Sequence, residues 1–79
     1  SVASMRATEA SIRAEMVASV LSLEVSEGDR VRVGQQVCLL ESMKMEIPVL
    51  SEVEGEIAEV RVDVGDVVQE GDELFRVSV

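Results

Sequence analysis

Apolar and polar residues alternate along two stretches of the chain, a pattern typical of β-strands that bury one face. The residues predicted to face the core are Leu21, Leu23, Val25, Ala58, Val60 and Val62. The polar residues between them, which we expect to face solvent, are Ser22, Glu24, Glu59 and Arg61. The pattern therefore predicts a strand in each half of the chain.

The two stretches belong to an internal repeat. Residues 20–40 align without gaps onto residues 57–77, and equivalent positions such as Gly28 and Gly65 are 37 residues apart. Identical residues occupy the pairs Val25/Val62, Gly28/Gly65, Asp29/Asp66, Val31/Val68 and Gly34/Gly71. Because glycine adopts positive φ without steric cost, we expect tight turns at Gly28 and Gly65. The repeat predicts an all-β domain with pseudo-twofold symmetry, in which two small antiparallel sheets pack face to face and each takes strands from both halves.

The segment between the repeats is predicted to be a hairpin whose turn is Met43-Lys44. Residues that lie directly opposite each other in such a hairpin share a face of the sheet. The opposed pairs would be Ser42/Met45, Glu41/Glu46, Leu40/Ile47 and Cys38/Val49. One face would then be apolar, with Cys38, Leu40, Ile47 and Val49, and the other would carry Glu41, Glu46 and Pro48. In this arrangement Cys38 is a small core residue rather than a reactive thiol.

The predicted turn departs from two local preferences. Two-residue turns of type I′ need positive φ at both central residues and favour Asn-Gly or Asp-Gly, whereas here the residues are Met43 and Lys44. Glu41 and Glu46 also place like charges opposite each other across the hairpin. A hairpin tip that contradicts local preferences is a candidate functional site.

Lys44 is the only lysine in the chain. By position alone, an exposed lysine is most often a solvating charge, but its amine can also be acylated. The amine of an ordinary lysine is protonated at neutral pH, and no base stands near it in the sequence. Acylation would therefore require a partner enzyme that desolvates and deprotonates Lys44. The flanking Met43 and Met45 either offer soft apolar contacts to that partner or pack against neighbouring strands.

Composition narrows the class of protein. The 79 residues suffice for one small domain with a thin core, so we expect no deep pocket. Sixteen valines and a single aromatic residue, Phe75, favour an aliphatic all-β core. The formal net charge of −9 argues against nucleic acid or an anionic membrane as a partner. The chain has no histidine, so we expect neither a histidine base nor a common metal site.

No apolar run is long enough to span a membrane, and no signal peptide is visible. The single cysteine cannot form an internal disulfide, so we expect a cytoplasmic protein that is a monomer in isolation. Residues 1–11 are small and polar without a period. We expect a flexible tail there, with residues 1–4 as a cloning remnant, and a folded domain over residues 12–79.

The string ESMKME at residues 41–46 resembles the biotinylation motif of the biotinyl/lipoyl attachment domain family, whose core is Met-Lys-Met preceded by Ala or Ser. The Gly-Asp turns at 28–29 and 65–66 and the glycines at 34, 55 and 71 also match that family. The resemblance covers residues 12–79. The longer string ESMKMEIPV is most similar to small free-standing biotin attachment proteins of actinobacteria and bacilli.

The resemblance implies a flattened barrel-sandwich of two four-stranded antiparallel sheets, with biotin joined by an amide bond to Lys44 at an exposed turn. It implies that a biotin protein ligase makes this bond and recognises the flanking residues Glu41, Ser42, Met43, Met45 and Glu46. The other implied partners are a biotin carboxylase and a carboxyltransferase, which load and unload a carboxyl group. The chain itself would then be a carrier and not an enzyme.

Two departures from relatives of this kind matter. Nothing between the early strands could form the thumb of the biotin carrier subunit found in many bacterial acetyl-CoA carboxylases. Met43 and Met45 stand where lipoyl domains usually carry Asp and then Ala or Val. The alternatives are a lipoyl carrier for a 2-oxo acid dehydrogenase, which these methionines disfavour, and an unmodified β-sandwich that binds partners through the hairpin.

Overall fold

The computed structural model describes residues 8–79, which form eight β-strands and no helix. The strands are β1 (Glu9–Arg13), β2 (Ala18–Leu23), β3 (Arg30–Val31), β4 (Gln36–Ser42), β5 (Met45–Leu50), β6 (Gly55–Val60), β7 (Val67–Val68) and β8 (Glu73–Ser78). Over this range no helix is long and apolar enough to cross a membrane.

The strands form two four-stranded antiparallel sheets. Sheet A has the order β1-β8-β6-β3, and sheet B has the order β5-β4-β2-β7. Each sheet takes strands from both halves of the chain, because β6 and β8 repeat β2 and β4 but lie in the other sheet. The predicted sandwich of two four-stranded antiparallel sheets is confirmed, and the two sheets do not close into a continuous barrel.

The two sheets share one pairing register. In sheet A, Ser11 of β1 pairs with Arg76 of β8, and in sheet B, Pro48 of β5 pairs with Leu39 of β4. Each of these sheet B residues is 37 residues away from its counterpart in sheet A, which is the spacing of the repeat. The pairings β6–β8 and β3–β6 match β2–β4 and β2–β7 in the same way. The pseudo-twofold symmetry expected from the sequence is therefore present in the hydrogen-bonded register.

Leu21 does not share a buried face with Leu23, contrary to the prediction from alternation. The β2–β4 register shifts beside Val20, so Leu21 is the extra residue of a β-bulge and is 37% exposed, whereas Val20 is buried. The same bulge occurs at Ala58 in β6, next to the buried Ile57. A bulge adds one residue to a strand and reverses the alternation on one side of it.

Strand β1 begins at Glu9, inside the segment that we expected to be a flexible tail. Residues 9–11 pair with residues 76–78 of β8 and so belong to the folded domain, which corrects the predicted boundary at residue 12. The physical reason is that β1 completes the edge of sheet A as β5 completes the edge of sheet B. The predicted cloning remnant at residues 1–4 lies outside the described residues.

The core between the sheets is almost entirely aliphatic. Its buried residues are Ile12, Ala14, Ala18, Val20, Val25, Val31, Val37, Cys38, Leu40, Ile57, Val62, Val68, Leu74, Phe75 and Val77. Phe75 and Leu40 are the largest of the side chains that are almost completely buried. Burial, with a smaller contribution from the carboxylate of Glu24, raises the pKa of the Cys38 thiol to about 11. Cys38 is therefore a protonated core residue, as predicted.

Hydrogen bonds from the Gly-Asp turns join the two halves of the chain. Gly28 and Gly65 have φ values of 90° and 95°, which confirms the positive φ expected there. The N–H of Gly28 donates to the carbonyl of Ile57 in the other half at 2.8 Å. The carboxylate of Asp29 accepts a hydrogen bond from the N–H of Ser26 at 2.9 Å, and residues 63–66 repeat this arrangement.

A groove of about 670 Å³ opens between the edge strands β1 and β5. It forms because the sheets do not close on this side. Its apolar lining includes Ile12, Met16, Ile47, Val49 and Val53, and none of residues 41–46 borders it.

The outer face of sheet A carries an ion-pair network. Arg76 donates to Glu73 at 3.0 Å and lies 3.4 Å from Glu59, which is also paired with Arg61 at 2.7 Å. Hydrogen bonds from Arg76 and from the hydroxyl of Ser11 lower the pKa of the Glu73 carboxyl from 4.5 to about 2. The ion pairs found over residues 8–79 all lie on this side of the sandwich.

The lowered pKa of Glu73 predicts a contribution to stability that acid removes. A carboxyl whose pKa is lower in the folded state stabilises the fold above its ordinary pKa, and this contribution disappears as the pH falls from about 4.5 to about 2. Glu73→Gln should therefore lower the melting temperature at neutral pH and reduce its dependence on pH across this window. Circular dichroism melts at a series of pH values check this, with the exposed Glu70→Gln as control. Equal pH dependence in wild type and Glu73→Gln would contradict it.

A second prediction compares two leucines on the β4–β5 hairpin. Leu40 is 1% exposed and Leu50 is 50% exposed. Leu40→Ala should destabilise the fold by about 2–5 kcal/mol, because it leaves a cavity in the core. Leu50→Ala removes the same atoms from a largely solvated position and should cost about 0.5 kcal/mol or less. Urea denaturation followed by circular dichroism measures both. Similar losses for the two variants would show that the observed register is wrong.

Candidate functional site

The hairpin formed by β4 and β5 has the register predicted from the sequence. Its turn residues are Met43 and Lys44, and the strand pairs below them are Ser42/Met45, Glu41/Glu46, Leu40/Ile47, Leu39/Pro48 and Cys38/Val49. The inner face is apolar, with Leu40 and Cys38 buried and Ile47 and Val49 half-buried against the core. The outer residues Glu41, Glu46 and Pro48 are exposed, as expected.

The turn at the tip is strained. Met43 has φ of 53° and Lys44 has φ of 64°, and no other non-glycine residue over residues 8–79 has a positive φ. Two consecutive positive φ values are those of a type I′ turn, which suits the twist of a two-residue hairpin. Residues with a Cβ rarely adopt this conformation, and each such residue costs about 1–3 kcal/mol. The strain falls on the two residues that the sequence marks as unusual.

The side chains at the tip point away from the core. Met43 is 92% exposed and Met45 is 66% exposed, although methionine is an apolar residue. Lys44 is also exposed, and within the described part of the chain its amine forms no ion pair or side-chain hydrogen bond. The tip therefore presents an accessible primary amine between two exposed thioethers. Met43 and Met45 are therefore available to contact a partner, and they do not pack against neighbouring strands.

Ser42 ties the base of the turn to the rest of the domain. Its hydroxyl donates a hydrogen bond of 2.9 Å to the carbonyl of Val17, in the segment that joins β1 to β2. The side chain of Ser42 is half-buried, unlike those of Met43 and Lys44. The sequence does not predict this contact, because Val17 and Ser42 are 25 residues apart and no local pattern indicates that they meet. The hydrogen bond gives Ser42 a positioning role within the chain.

An acidic pair lies directly below the tip. Glu41 and Glu46 are opposite each other on the outer face of sheet B, both exposed and without an ion pair in the part of the chain described. The strands of sheet B contain no arginine or lysine at all. The tip thus combines an accessible amine, soft apolar side chains and uncompensated negative charge, which suits a surface that is presented to another protein.

A family model described as "Biotin-requiring enzyme" matches residues 8–77, nearly the whole chain. The chain belongs to the biotinyl/lipoyl attachment domain family. The family match begins at residue 8, consistent with β1 being part of the biotinyl/lipoyl domain. The resemblance inferred from the motif and the repeat is therefore confirmed.

Two relatives are similar to this biotinyl/lipoyl domain over most of their own length. The Biotinylated protein TB7.3 homolog of Mycobacterium leprae is 57% identical over 67 residues, which is 85% of this chain and 94% of that protein. The Biotin/lipoyl attachment protein of Bacillus subtilis is 42% identical over 64 residues, which is 81% of this chain and 88% of that protein. The matched domain therefore makes up most of both relatives.

A solved structure shows the same fold inside a large enzyme. The single-chain, multi-domain long-chain acyl-CoA carboxylase matches with a TM-score of 0.83 and 30% sequence identity. The match covers 89% of this chain and 7% of the carboxylase chain. The biotinyl/lipoyl domain is therefore homologous both to small attachment proteins and to a domain within a carboxylase.

The geometry of the turn generates a prediction about strain. Replacing Met43 by Asn and Lys44 by Gly supplies the residues that a type I′ turn favours, so the double variant should gain about 1–3 kcal/mol of stability. Met45→Asn is the control, because Met45 lies in β5 and has no positive φ. Urea denaturation of the three proteins checks the expectation. A double variant no more stable than wild type would show that the turn is not strained.

Proposed function

We propose that Lys44 is covalently biotinylated by a biotin protein ligase, and that the domain carries carboxyl groups between a biotin carboxylase and a carboxyltransferase. The observation that supports this most directly is the exposed Lys44 at a strained turn between two exposed methionines. Family membership makes the chain an attachment domain. Biotin as the attached group, Lys44 as its attachment site and the three partner enzymes are what we propose beyond that. The chain performs no chemistry of its own in this scheme.

The tip fits an amide-linked biotin. The amine of Lys44 is accessible, and forming an amide there removes its charge without breaking any ion pair in the described residues. When attached, biotin supplies a ureido nitrogen that accepts and releases a carboxyl group. The chain's contribution is to hold the base of the tether, through the β4–β5 pairing and the Ser42–Val17 hydrogen bond, while the lysine stem stays free to move. A tether of this kind raises the effective concentration of the group at each partner site.

We assign recognition by the ligase to the residues around Lys44. Met43 and Met45 offer exposed, adaptable apolar contacts, and Glu41 and Glu46 offer negative charge on one face. Ser42 acts differently, since its hydroxyl is engaged with the Val17 carbonyl and so places the turn rather than facing a partner. The ligase itself must desolvate and deprotonate the amine, because no neighbouring base does so.

A lipoyl group on Lys44 is the second candidate. The name of the Bacillus subtilis relative includes both biotin and lipoyl attachment, so similarity alone does not choose between them. Met43 and Met45 favour biotin, because by family resemblance lipoyl domains carry Asp and then Ala or Val at these positions. Which of the two groups is attached depends on which ligase binds the tip more tightly, since specificity is a difference of affinities.

The experiment incubates the purified chain with biotin, ATP and a biotin protein ligase, and locates the label by intact mass and peptide sequencing. We expect one biotin per chain, on Lys44. Lys44→Arg is the matched control, which should remain unlabelled while its melting temperature stays within a few degrees, because the tip is exposed. A parallel reaction with lipoate and a lipoate ligase tests the second candidate. Label on another residue, or lipoylation without biotinylation, would overturn the proposal.

A further inference from the structure

The sulfur atoms of the domain lie in two different environments. The chain has four methionines and one cysteine, and three of the methionines fall within residues 8–79. Of these three, Met43 is 92% exposed and Met45 is 66% exposed, whereas Met16 is half-buried and packs against the core. The two exposed thioethers are therefore the two that flank Lys44 in the sequence.

The cysteine is protected from oxidants. Oxidation of a thiol proceeds through its thiolate and requires access to solvent. Cys38 is completely buried, and burial raises the pKa of its thiol to about 11, so the thiolate is scarce at neutral pH. A thioether has no proton to lose, so its reaction with an oxidant depends on exposure alone. Exposure thus directs oxidants to Met43 and Met45.

We propose that Met43 and Met45 form an oxidant-sensitive site, at which hydrogen peroxide converts the thioethers to sulfoxides and thereby blocks attachment of a group to Lys44. This inference rests on the proposed function, in which a ligase contacts both side chains. One oxygen of the peroxide bonds to the methionine sulfur as the O–O bond breaks, and the other leaves as water. The sulfur loses two electrons, the peroxide gains them, and a polar side chain replaces an apolar one.

The sulfoxides act on the contact with the ligase and not on the fold. Lys44 lies between Met43 and Met45, so an enzyme that encloses its amine also covers at least one of them. A ligase surface that fits a thioether is apolar, and burying a sulfoxide oxygen against it without a hydrogen bond costs free energy. Both methionines project from the tip into solvent, so the core loses no contact when they are oxidised.

The modification is reversible, so it acts as a switch. Methionine sulfoxide reductases remove the oxygen as water while a dithiol of the reductase is oxidised to a disulfide, and a separate enzyme reduces each of the two sulfoxide epimers. Sulfoxides at Met43 and Met45 are as accessible to a reductase as the thioethers are to peroxide. A sulfoxide at Met16 would instead lie in the lining of the groove between β1 and β5, against the core.

The first measurement treats the unmodified full chain with hydrogen peroxide and locates the added oxygen by peptide mass mapping over time. We expect Met43 and Met45 to gain oxygen before Met16, Cys38 to stay reduced, and the melting temperature to remain within a few degrees. No ligase takes part in this measurement. Oxidation of Met16 as fast as that of the tip, or oxidation of Cys38 first, would overturn the inference.

The second measurement is the kcat/KM of a biotin protein ligase on the chain before and after peroxide, which is removed with catalase before the ligase is added. We expect a fall of at least about fivefold in the wild type and recovery after treatment with both sulfoxide reductases. The variant Met43→Leu/Met45→Leu has no thioether at the tip, so its kcat/KM, whatever the starting value, should not change with peroxide. The matched control Met5→Leu/Met16→Leu keeps the tip and should respond as the wild type does.

The outcomes distinguish the two proposals. An unchanged kcat/KM in the oxidised wild type, or an equal fall in Met43→Leu/Met45→Leu, would overturn the oxidant-sensitive site while leaving Lys44 as the acceptor. Failure of the unoxidised wild-type chain to accept biotin would instead overturn the proposed function.

Discussion

The pairing of β4 with β2 on one side and β5 on the other is the constraint on which the rest of the domain depends. It places Leu40 and Cys38 in the core, where both are fully buried, and it leaves Glu41 in solvent. A slip of one residue would exchange these faces and bury the carboxylate of Glu41, which is far more costly than any local strain. Because the register cannot slip, the two residues that close the hairpin are fixed as Met43 and Lys44.

The parts of this arrangement that carry periodic or repeated signals could be predicted from the sequence. The hairpin register followed from the alternation around Cys38 and Leu40, and the repeat supported it through the equivalent Phe75 and Val77. The bulge at Leu21 could not be predicted in this way, because one extra residue reverses the alternation without altering the composition. The contact between Ser42 and Val17 was likewise inaccessible, since it joins a hydroxyl to a backbone carbonyl whose position depends on the fold.

Strand β1 shows a different limit of sequence reasoning. It is short, lies at a sheet edge and carries polar residues on its outward side, so its apolar signal is weak. Its place follows from backbone hydrogen bonds to β8 and from the buried Ile12, rather than from a run of apolar residues. The signal that was present is the repeat itself, which continues back to Glu9, the counterpart of Glu46. Extending the alignment to the edge strands would have identified this strand.

The symmetry also explains why one face can specialise. The inward residues of both sheets must be apolar, because they share a single core. Outward residues are less constrained, since substitutions at exposed positions usually change stability by about 0.5 kcal/mol or less. The outer face of sheet A accordingly carries an ion-pair network around Arg76. The outer face of sheet B carries Leu39, Pro48 and the acidic pair beneath the tip.

The strain at the tip can persist because the strand pairs below the turn hold both turn residues in place. Two residues with positive φ cost about 1–3 kcal/mol each. Relaxing them would require the β4–β5 pairs below the turn to open, and with them the burial of Leu40, whose truncation alone is worth about 2–5 kcal/mol. A small domain has only about 5–15 kcal/mol of stability in total, so little more strain of this kind could be accommodated. A loose loop would avoid the strain, but it would have to be ordered again at every encounter with a partner. The tight turn removes that recurring cost and leaves motion to the lysine side chain, which is where a carrier needs it.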